Sequence, residues 1–375
     1  MFRLVFYLYG RGHILLVVEG TELANGKAPL PRYLRFFGRY FLVMSYKVAV
    51  IGSGSWGTAQ ALHLQKAGSD VVIWGCDAID LDSIKTGYNA RYFGNMRLCN
   101  PGDLGVEYNL KEAVKGADFI VFAVPSGAVR SVAEEVKENV SPSSVIISTA
   151  KGLEKDSLMR MSEVLSEVLG RLERIVVLSG PSFAVEVIKE LPTAVTLASP
   201  VPRLSSLAAN LYHYKYFRAY ASTDIVGVEL GGVLKNVIAL AAGMIDGAGM
   251  GANARAALLT RALIEIRRIV MAMGGRSSTV SGLSGLGDLL LTATGDLSRN
   301  RQVGLMLGQV RKLSDIMKEM KQVAEGVTTA NSCLQLAQNL GIETPIIKET
   351  CQILSGEHDL QQAIINLLAR SQKFE

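Results

Sequence analysis

The stretch KVAVIGSGSWGTAQALHLQKAG, residues 47–68, decides the fold of this chain. It opens with a short apolar run that is typical of a strand buried on both faces of a sheet. Glycines then follow in G-x-G-x-x-G spacing, and a helical pattern comes directly after them. In this spacing Gly52 permits a tight turn, Gly54 lets the backbone approach a pyrophosphate, and Gly57 allows close packing of helix on strand.

The order of strand, glycine turn and helix predicts a dinucleotide site at the start of a βαβ unit. The N-terminus of the helix would supply amide donors and a partial positive charge to the phosphates. A glycine-rich turn without a ligand is the alternative, and it would have to explain all three glycines by packing alone.

The alternation of short apolar runs and helix-length spacers continues beyond this unit. Further runs are typical of buried parallel strands at 70–74, 119–124, 144–149 and 174–179, and of edge strands at 193–198 and 216–220. After about Ser222 the segments become long and apolar or amphipathic, without a strand pattern. We therefore predict an α/β fold, a Rossmann-type doubly wound, mainly parallel sheet followed by an all-α C-terminal domain. The expected domains are 45–222 for the dinucleotide and 223–375 for the substrate.

The N-terminal 44 residues differ from the rest of the chain. The first 43 carry six basic and two acidic side chains, which leaves a net charge of only +1 for the main body. That balance argues against binding of nucleic acid or a membrane surface. No apolar run reaches the roughly 18 residues that cross a bilayer, so we expect no stable membrane insertion. We interpret residues 1–44 as an extension outside the core fold, with Met44 as the natural first residue.

The cysteines and histidines give no metal-binding pattern. They are scattered, without C-x-x-C or ligand-spaced pairs, at Cys76, Cys99, Cys333, Cys351, His13, His63, His213 and His358. We expect a reduced, metal-free, cytoplasmic protein.

Lys235 is the ionisable side chain of an apolar stretch, LGGVLKNVIALAAGMI, residues 230–245. Removing an ammonium group from water costs several kcal/mol unless a partner compensates it. The residue is therefore a candidate proton carrier. The alternative is a lysine whose stem lies along the helix while its charge reaches water.

Other candidate residues follow predicted strands or begin predicted helices. Ser126, Lys151 and Ser182 lie at strand carboxyl ends, where open α/β sheets bind ligands. Asp288 in GLGDLLLT and the run SRNR, residues 298–301, are further candidates. Each also has a purely structural explanation, as a helix cap or a solvated turn.

The choice between NAD and NADP depends on the end of the second strand, which reads WGCD. Asp77 favours NAD because a carboxylate can accept hydrogen bonds from the ribose hydroxyls. Lys85 and Arg91 are possible partners of a 2′-phosphate, so both cofactors stay open.

Taken together, these segments resemble the bacterial type of NAD(P)-dependent sn-glycerol-3-phosphate dehydrogenase. The resemblance covers Lys47 to the C-terminus and rests on motifs in the family's order: GSGSWGTA, VPS, KGLE, SGPSFAVE, GVELGGVLKNVIALAAGMIDG, GANARAALLTRALIE, GLGDLLLT, SRNR and AEG. Two departures stand out. Cys76 occupies a position where the family often has a basic side chain or histidine, and NARYFG, residues 89–94, only partly keeps the signature N-x-x-Y-L-P.

The resemblance implies an enzyme that interconverts sn-glycerol 3-phosphate and dihydroxyacetone phosphate by hydride transfer to or from NAD or NADP. It also implies a homodimer, and production of glycerol 3-phosphate for phospholipid synthesis. Lys235 would donate and accept the proton, with Lys151 and Asp288 as the other catalytic residues. The implied substrate contacts are Lys151, Gly180, Ser182, Lys235, Asn236, Asp288, Thr292, Ser298, Arg299 and Asn300. The implied cofactor contacts are Gly52, Gly54, Ser55, Trp56, Gly57, Cys76, Lys151, Ala184, Arg299, Val323 and Glu325.

Two alternatives compete with this interpretation. A related two-domain reductase of the 2-hydroxyacid, ketopantoate or 6-phosphogluconate type would also place a lysine and an asparagine on a helix, but SRNR and GLGDLLLT argue against it. A non-catalytic dinucleotide sensor would need the glycine loop without Lys235, Lys151 and Asp288.

Overall fold

The computed structural model describes residues 45–170, 172–320 and 324–372, together with the backbone of four strands before residue 45. These strands form an antiparallel sheet in the order β1-β2-β4-β3, and none pairs with the larger sheet. Their bounds are β1 Arg3–Tyr9, β2 His13–Glu19, β3 Tyr33–Phe36 and β4 Arg39–Leu42.

The larger sheet has eight strands in the order β12-β11-β10-β9-β8-β5-β6-β7. The strands from β10 to β7 are parallel to one another, β11 is antiparallel to β10, and β12 is parallel to β11. The predicted mainly parallel, doubly wound sheet is confirmed. The bounds are β5 Lys47–Ile51, β6 Asp70–Trp74, β7 Gly105–Glu107, β8 Phe119–Phe122, β9 Val145–Ser148, β10 Ile175–Ser179, β11 Thr193–Ala198 and β12 Phe217–Ser222.

Two details of the sheet differ from the prediction. The sequence gives no signal for β7, because its three residues are too few for a hydrophobic pattern. Strand β6 is only half-buried at Val72 and Trp74, although its sequence indicates a strand buried on both faces. The reason is its position next to the short edge strand β7, where less of the sheet is covered.

Helices cover the sheet and then form the rest of the chain. The helices between the strands are α1 Ser55–Lys66, α2 Ala78–Lys85, α3 Ala90–Phe93, α4 Leu110–Val114, α5 Val129–Val136, α6 Met161–Leu169, α7 Ala184–Ile188 and α8 Pro202–Tyr212. Those after the sheet are α9 Ile225–Gly247, α10 Gly251–Ala272, α11 Ser277–Val280, α12 Asp288–Thr294, α13 Arg299–Gly308, α14 Leu313–Glu319, α15 Glu325–Asn339, α16 Pro345–Ser355 and α17 Leu360–Leu368. The described residues after Ser222 contain no strand.

Alternate side chains of the central strands pack into two separate apolar layers. Val48 and Val50 of β5 belong to the layer on one face of the sheet, and Ala49 and Ile51 belong to the layer on the other. Burying a valine or isoleucine side chain stabilises a fold by about 1.5–3 kcal/mol. Both faces therefore hold helices firmly, and the carboxyl ends of the strands are left as a rigid rim.

Helix α9 is the central element of the second half and packs against α10, α12, α13 and α15. It is 23 residues long, and an 18-residue window within it has a mean hydropathy of 1.7, so by length and composition alone it could cross a membrane. The helix still contains Glu229, Lys235 and Asp246, so it holds no uninterrupted apolar run of about 18 residues, as the sequence indicates. Within the protein, 94% of its apolar window is buried, so the helix is part of the core.

Glycines let α9 and α13 touch along their backbones. A Cβ at Gly243 would lie 2.2 Å from the carbonyl oxygen of Arg301, and one at Gly304 would lie 2.1 Å from that of Leu240. Larger side chains would push the helices apart. This contact brings the N-terminal end of α13, where SRNR begins, toward the middle of α9.

Candidate active site

The glycine loop lies where the chain order of the sheet reverses, between β5 and β8. Gly52 adopts φ +124°, and its ideal Cβ would lie 2.7 Å from the carbonyl oxygen of Ala123. A Cβ at Gly57 would lie 1.8 Å from the carbonyl oxygen of Gly52. Only glycine fits at both positions, as the sequence predicts. Open α/β sheets bind their ligands at this kind of crevice.

Gly54, in contrast, faces open space. The nearest atom to its ideal Cβ is the Tyr92 hydroxyl at 4.0 Å. Helix α1 begins at Ser55 without a capping side chain and without an acidic residue in its first turn. Its first amides, including those of Ser55 and Trp56, are therefore available to an anion. The loop fits the pyrophosphate of a dinucleotide.

Asn89 supports this loop, and sequence reasoning did not single it out. Its buried side-chain amide donates hydrogen bonds to the carbonyl oxygen of Ser53 at 2.9 Å and to the hydroxyl of Thr58 at 2.8 Å. The partly kept signature NARYFG was the available signal, and the structure places its start against the glycine loop.

A buried carboxylate joins the two candidate lysines. The Nζ of Lys235 donates to Oδ1 of Asp288 at 2.7 Å and to the hydroxyl of Thr292 at 2.6 Å. The Nζ of Lys151 donates to Oδ2 of the same carboxylate at 2.7 Å. The side chains of Asp288 and Lys235 are 1% and 7% exposed, whereas that of Lys151 is 21% exposed. Lys235 therefore does not reach water along the helix surface.

Burial and the second lysine lower the pKa of Lys235 to about 8, against the opposing attraction of Asp288. Burial alone would raise the pKa of Asp288, but the ammonium groups of Lys151 and Lys235 outweigh it and hold that pKa below its usual value. Near neutral pH the cluster therefore has an ionised carboxylate and a lysine close to its titration point. Such a lysine suits proton transfer in both directions.

Two glycines of α9 let the backbone of this helix lie close to the segments that carry Asp288 and Lys151. A Cβ at Gly231 would lie 2.6 Å from the carbonyl oxygen of Ser284, in the π-helical turn that leads to Asp288. A Cβ at Gly232 would lie 2.5 Å from Oγ of Ser179, at the end of β10, and 3.8 Å from Cγ of Lys151. One turn before Lys235, the helix is therefore close to the turn that leads to Asp288 and to the side chain of Lys151.

The SRNR run begins α13 beside the same helix. Ser298 caps α13 by accepting a hydrogen bond from the amide of Arg301 at 3.2 Å, and Arg299 is exposed. The side-chain oxygen of buried Asn300 accepts from the amide of Gly326 at 2.9 Å. An ideal Cβ at Gly326 would lie 2.6 Å from the carbonyl oxygen of Asn236. Asn236 and Asn300 therefore converge on the start of α15.

Glu325 opens α15 and faces the loop after β8. The amide of Ser126 donates to its carboxylate at 3.4 Å. Burial raises the pKa of Glu325, while the positive charges of Arg299, Lys151 and Lys235 oppose that rise. The electrostatic effect of Arg299 connects this carboxylate with the SRNR run. Val323 lies outside the described residues.

The remaining predicted contacts lie along the rim without a direct bond to the lysine cluster. Ser182 donates to the carbonyl oxygen of Gly180 at 3.1 Å, and Gly180, with φ +145°, leaves room for β11 behind it. Ala184 begins α7 and packs against the sheet core. Cys76 is exposed at the end of β6.

Among the described residues, no group of three or more His, Cys, Asp or Glu side chains is placed to hold a metal.

A second buried ion pair, which the sequence did not predict, connects α9 to the segment after Lys151. Arg160 donates to Glu229 at 2.7 Å, and the amide and hydroxyl of Ser162 donate to the same carboxylate at 2.8 and 2.6 Å. The side chains of Arg160 and Glu229 are 8% and 1% exposed. The pair fixes α6 against the helix that carries Lys235.

Comparison with known proteins identifies the family. The N-terminal family of NAD-dependent glycerol-3-phosphate dehydrogenase matches residues 47–204, and the C-terminal family matches residues 224–365. A glycerol-3-phosphate dehydrogenase [NAD(P)+] of Syntrophotalea carbinolica is 48% identical over 331 residues, which cover 88% of this chain and 99% of the relative. One of Geobacter sulfurreducens is 44% identical over 335 residues, with the same shares of coverage.

A solved structure supports the same assignment. The crystal structure of glycerol-3-phosphate dehydrogenase from Coxiella burnetii superimposes with a TM-score of 0.82 at 39% sequence identity, covering 87% of this chain and 99% of that one. The family matches include both the glycine loop and the segments that carry Lys235, Asp288 and SRNR. The chain belongs to the NAD-dependent glycerol-3-phosphate dehydrogenase family.

Proposed function

We propose that this protein is an oxidoreductase that interconverts sn-glycerol 3-phosphate and dihydroxyacetone phosphate with NAD or NADP. The observation that carries the proposal is the buried carboxylate of Asp288, which holds Lys235 and Lys151 at 2.7 Å each. Membership of the family supplies the reaction, and the cluster supplies a proton carrier for it.

The nicotinamide cofactor, when bound, supplies or removes the hydride. In the direction of reduction, the carbonyl carbon of dihydroxyacetone phosphate gains the hydride, and its oxygen gains a proton from Nζ of Lys235. In the direction of oxidation, the neutral amine of Lys235 removes the hydroxyl proton of glycerol 3-phosphate as the carbon loses its hydride. A lysine whose pKa is about 8 can serve both directions near neutral pH.

We assign supporting roles to the groups around Lys235. Asp288 and Thr292 bind its Nζ directly and would fix the direction of the proton. Lys151, the more exposed of the two lysines, would attract the developing negative charge on the substrate oxygen and also contact the cofactor. Asn236, the next residue on α9, would help to orient the reacting group.

The substrate phosphate would bind at the start of α13. The guanidinium of Arg299 can form two parallel hydrogen bonds with a phosphate, and Ser298 and Asn300 flank it. Binding energy from this remote group would align the carbonyl next to Lys235. Gly180 and Ser182, at the end of β10, would form the neighbouring wall of the substrate site.

The glycine loop would bind the cofactor through Gly52, Gly54, Ser55, Trp56 and Gly57. The open space at Gly54 and the free amides of α1 support this placement. Further contacts are proposed for Cys76, Lys151, Ala184, Arg299, Val323 and Glu325.

We propose the division into residues 1–44, 45–222 and 223–375, with the catalytic lysines at the junction of the last two. The end of β12 at Ser222 and the start of α9 at Ile225 support the second boundary.

From the family resemblance we also propose that the protein is a homodimer, that it is located in the cytoplasm, and that it produces glycerol 3-phosphate for phospholipid synthesis. Light scattering of the purified protein would test the dimer.

The direct test is oxidation of NADH and of NADPH by the purified protein, followed separately with dihydroxyacetone phosphate. Replacing Lys235 by Ala should lower turnover by about 10²–10⁴-fold, the usual contribution of a positioned proton carrier, and leave cofactor binding intact. Lys318→Ala is a matched control, because Lys318 is an exposed lysine paired with Asp315 on its own helix. An inactive wild-type protein, or full turnover by Lys235→Ala, would contradict the proposal.

A further inference from the structure

The residues that follow Lys151 fold back on themselves as a hairpin, residues 151–162, which we call the Lys151 hairpin. Leu153 and Arg160 form an isolated antiparallel bridge in it. Inside this bridge a backbone hydrogen bond of 2.9 Å closes the turn. Arg160, at the far end of the hairpin, therefore keeps a fixed position relative to Lys151 at its near end.

The hairpin comes before β10 in the sheet half of the chain, but it packs along α9 of the helical half. At its start, an ideal Cβ at Gly232 would lie 3.8 Å from Cγ of Lys151. At its end, Nη1 of Arg160 donates to Oε2 of Glu229 at 2.7 Å. Leu153, between them, is buried in the same apolar cluster as several side chains of α9. Because Glu229 and Gly232 are three residues apart, they lie on one face of the helix, and the hairpin follows that face.

The contact at the far end is a buried pair of charges with additional hydrogen bonds. Glu229 also accepts from the amide and the hydroxyl of Ser162, and Nη2 of Arg160 donates to Glu163 at 2.7 Å. Replacing a buried ion pair by apolar side chains of similar volume is often neutral or even stabilising, so stability alone does not account for these charges. A guanidinium bound by two carboxylates has a fixed direction as well as a fixed distance. The pair therefore gives the hairpin one register along α9.

We propose that Arg160 and Glu229 are positioning residues for proton transfer, because they hold the hairpin in the register that places Lys151 on Asp288. Both are buried and act through Lys151 rather than on the substrate. Lys151 itself lies on a loop after β9 and not in a helix or strand, so its 2.7 Å bond to Asp288 depends on how that loop is held. The inference rests on the proposed function of the lysine cluster.

A displaced Lys151 would change the titration of Lys235. Burial lowers the pKa of Lys235, Asp288 raises it, and the ammonium of Lys151 lowers it again, to about 8. Thr292 also binds the Nζ of Lys235, and Glu325 is a further charged group whose pKa responds to it. If Lys151 moves away, Lys235 loses that repulsion and no longer shares the carboxylate of Asp288, so its pKa should rise. Loss of a pair that only stabilised the fold would leave this pKa unchanged.

The test is the double variant Arg160→Met with Glu229→Gln, which removes both charges and keeps an acceptor for Ser162. The pH above which kcat/KM for dihydroxyacetone phosphate reduction declines should rise by about 0.5 units or more from its wild-type value near 8. Turnover at neutral pH should fall about tenfold, because Lys151 no longer stabilises the negative charge on the substrate oxygen.

Arg130→Met is the matched control, because it also removes a guanidinium that binds the hairpin. Nε of Arg130 donates to Glu154 at 2.7 Å, but Arg130 lies on α5 and ties the hairpin to the sheet half. This variant should keep the pH limit and the turnover of the wild type. An equal shift in it would contradict a specific role of the contact with α9.

Chemical labelling separates this inference from the proposed reaction, since it needs no turnover. Acetic anhydride acetylates neutral lysine amines, and mass spectrometry of the digested protein gives the rate for each lysine. Lys151, which is 21% exposed and bound to Asp288, should react slowly in the wild type. In the double variant it should react at least about threefold faster relative to the exposed Lys318. An inactive wild type with this increase would contradict the proposed reaction and support the positioning.

Circular dichroism shows whether the double variant folds. Where it does not, Glu229→Gln alone takes its place, because Arg160 then keeps Glu163 as its partner. An unchanged labelling rate of Lys151 in a folded variant, or an unchanged pH limit in an active one, would overturn the inference.

Discussion

Replacing Asp288 by Asn tests whether one carboxylate sets the proton affinity of Lys235. Asparagine keeps the shape of the side chain and an oxygen that can accept from Nζ, but it removes the negative charge shared by the two lysines. Without that charge, burial and the neighbouring ammonium of Lys151 act on Lys235 unopposed. The pKa of Lys235 should therefore fall.

The size of the fall follows from the geometry. A charge within ~4–6 Å typically changes a pKa by about 1–3 units, and Oδ1 of Asp288 lies 2.7 Å from Nζ of Lys235. The pKa of Lys235 is lowered to about 8 in the wild type. A decrease of about 2 units would bring it to about 6 in the variant. Near pH 7.5 the protonated fraction would then drop from about three quarters to about 3%, roughly 25-fold.

The assay is the pH profile of kcat/KM for dihydroxyacetone phosphate reduction, measured by the absorbance of the reduced cofactor. Reduction needs protonated Lys235, so the wild-type rate should decline as the pH rises through about 8. In Asp288→Asn the decline should begin near pH 6, and part of the activity should return in acid. Asp296→Asn is the control, because Asp296 is an exposed carboxylate whose partner is Arg301. A variant that loses activity equally at every pH, with the decline still near 8, would refute the assignment.

Three further predictions concern other parts of the molecule. Arg299→Ala should raise KM for dihydroxyacetone phosphate about tenfold to a hundredfold, because charged hydrogen bonds to the phosphate are lost. The wild type and the variant should have the same kcat/KM for unphosphorylated dihydroxyacetone. If kcat/KM falls equally for both substrates, Arg299 does not bind the phosphate. The methyl group added by Gly54→Ala would have no neighbouring atom closer than 4.0 Å, so the variant should lose at most about 1 kcal/mol of folding stability. Its affinity for the cofactor, measured by fluorescence titration, should fall at least tenfold because the methyl group would block the approach of the pyrophosphate. Unchanged affinity would argue against the loop as the pyrophosphate site. Burial raises the pKa of Glu265 to about 7, above its unfolded value, so its contribution to stability is complete below about pH 4.5 and is lost as the pH rises through 7. The free energy of unfolding should therefore decline by about 3 kcal/mol more over that interval in the wild type than in Glu265→Gln, and parallel profiles from urea denaturation would contradict this.

The sequence predicts the sheet well because the signal for a buried strand is local. Each apolar run between helix-length spacers corresponds to a strand, and the edge run at 193–198 coincides with β11. It fails at β7, where three residues carry no pattern. The long apolar segment around Lys235 is predicted to be helical and corresponds to α9, where Gly243 contacts α13 and Lys235 is paired with Asp288.

Some residues of the candidate site can likewise be recognised from local sequence, whereas others depend on distant partners. Lys235 and the glycine loop can be recognised from their own neighbours in the chain, since a charge in an apolar stretch and a fixed glycine spacing are local facts. For Asn89 the NARYFG motif marks the segment but does not reveal its hydrogen-bond partners, which are as far as 36 residues away. The pairing of Arg160 with Glu229 spans 69 residues and is equally hidden.

The sequence by itself determined the parallel sheet with its glycine loop and the helical half, and it indicated the residues that we propose for proton transfer. Only the tertiary structure decided that Asp288 reaches Lys235 across 53 residues and Lys151 across 137, and that Arg91 faces Asp77 beside the glycine loop. The physical reason is that strand and helix patterns reflect burial of each segment against an unspecified apolar partner. The distance between two charges depends instead on how helices pack, and here glycine contacts on α9 set that distance. The lowered pKa of Lys235, on which the proposed proton transfer depends, follows from that packing.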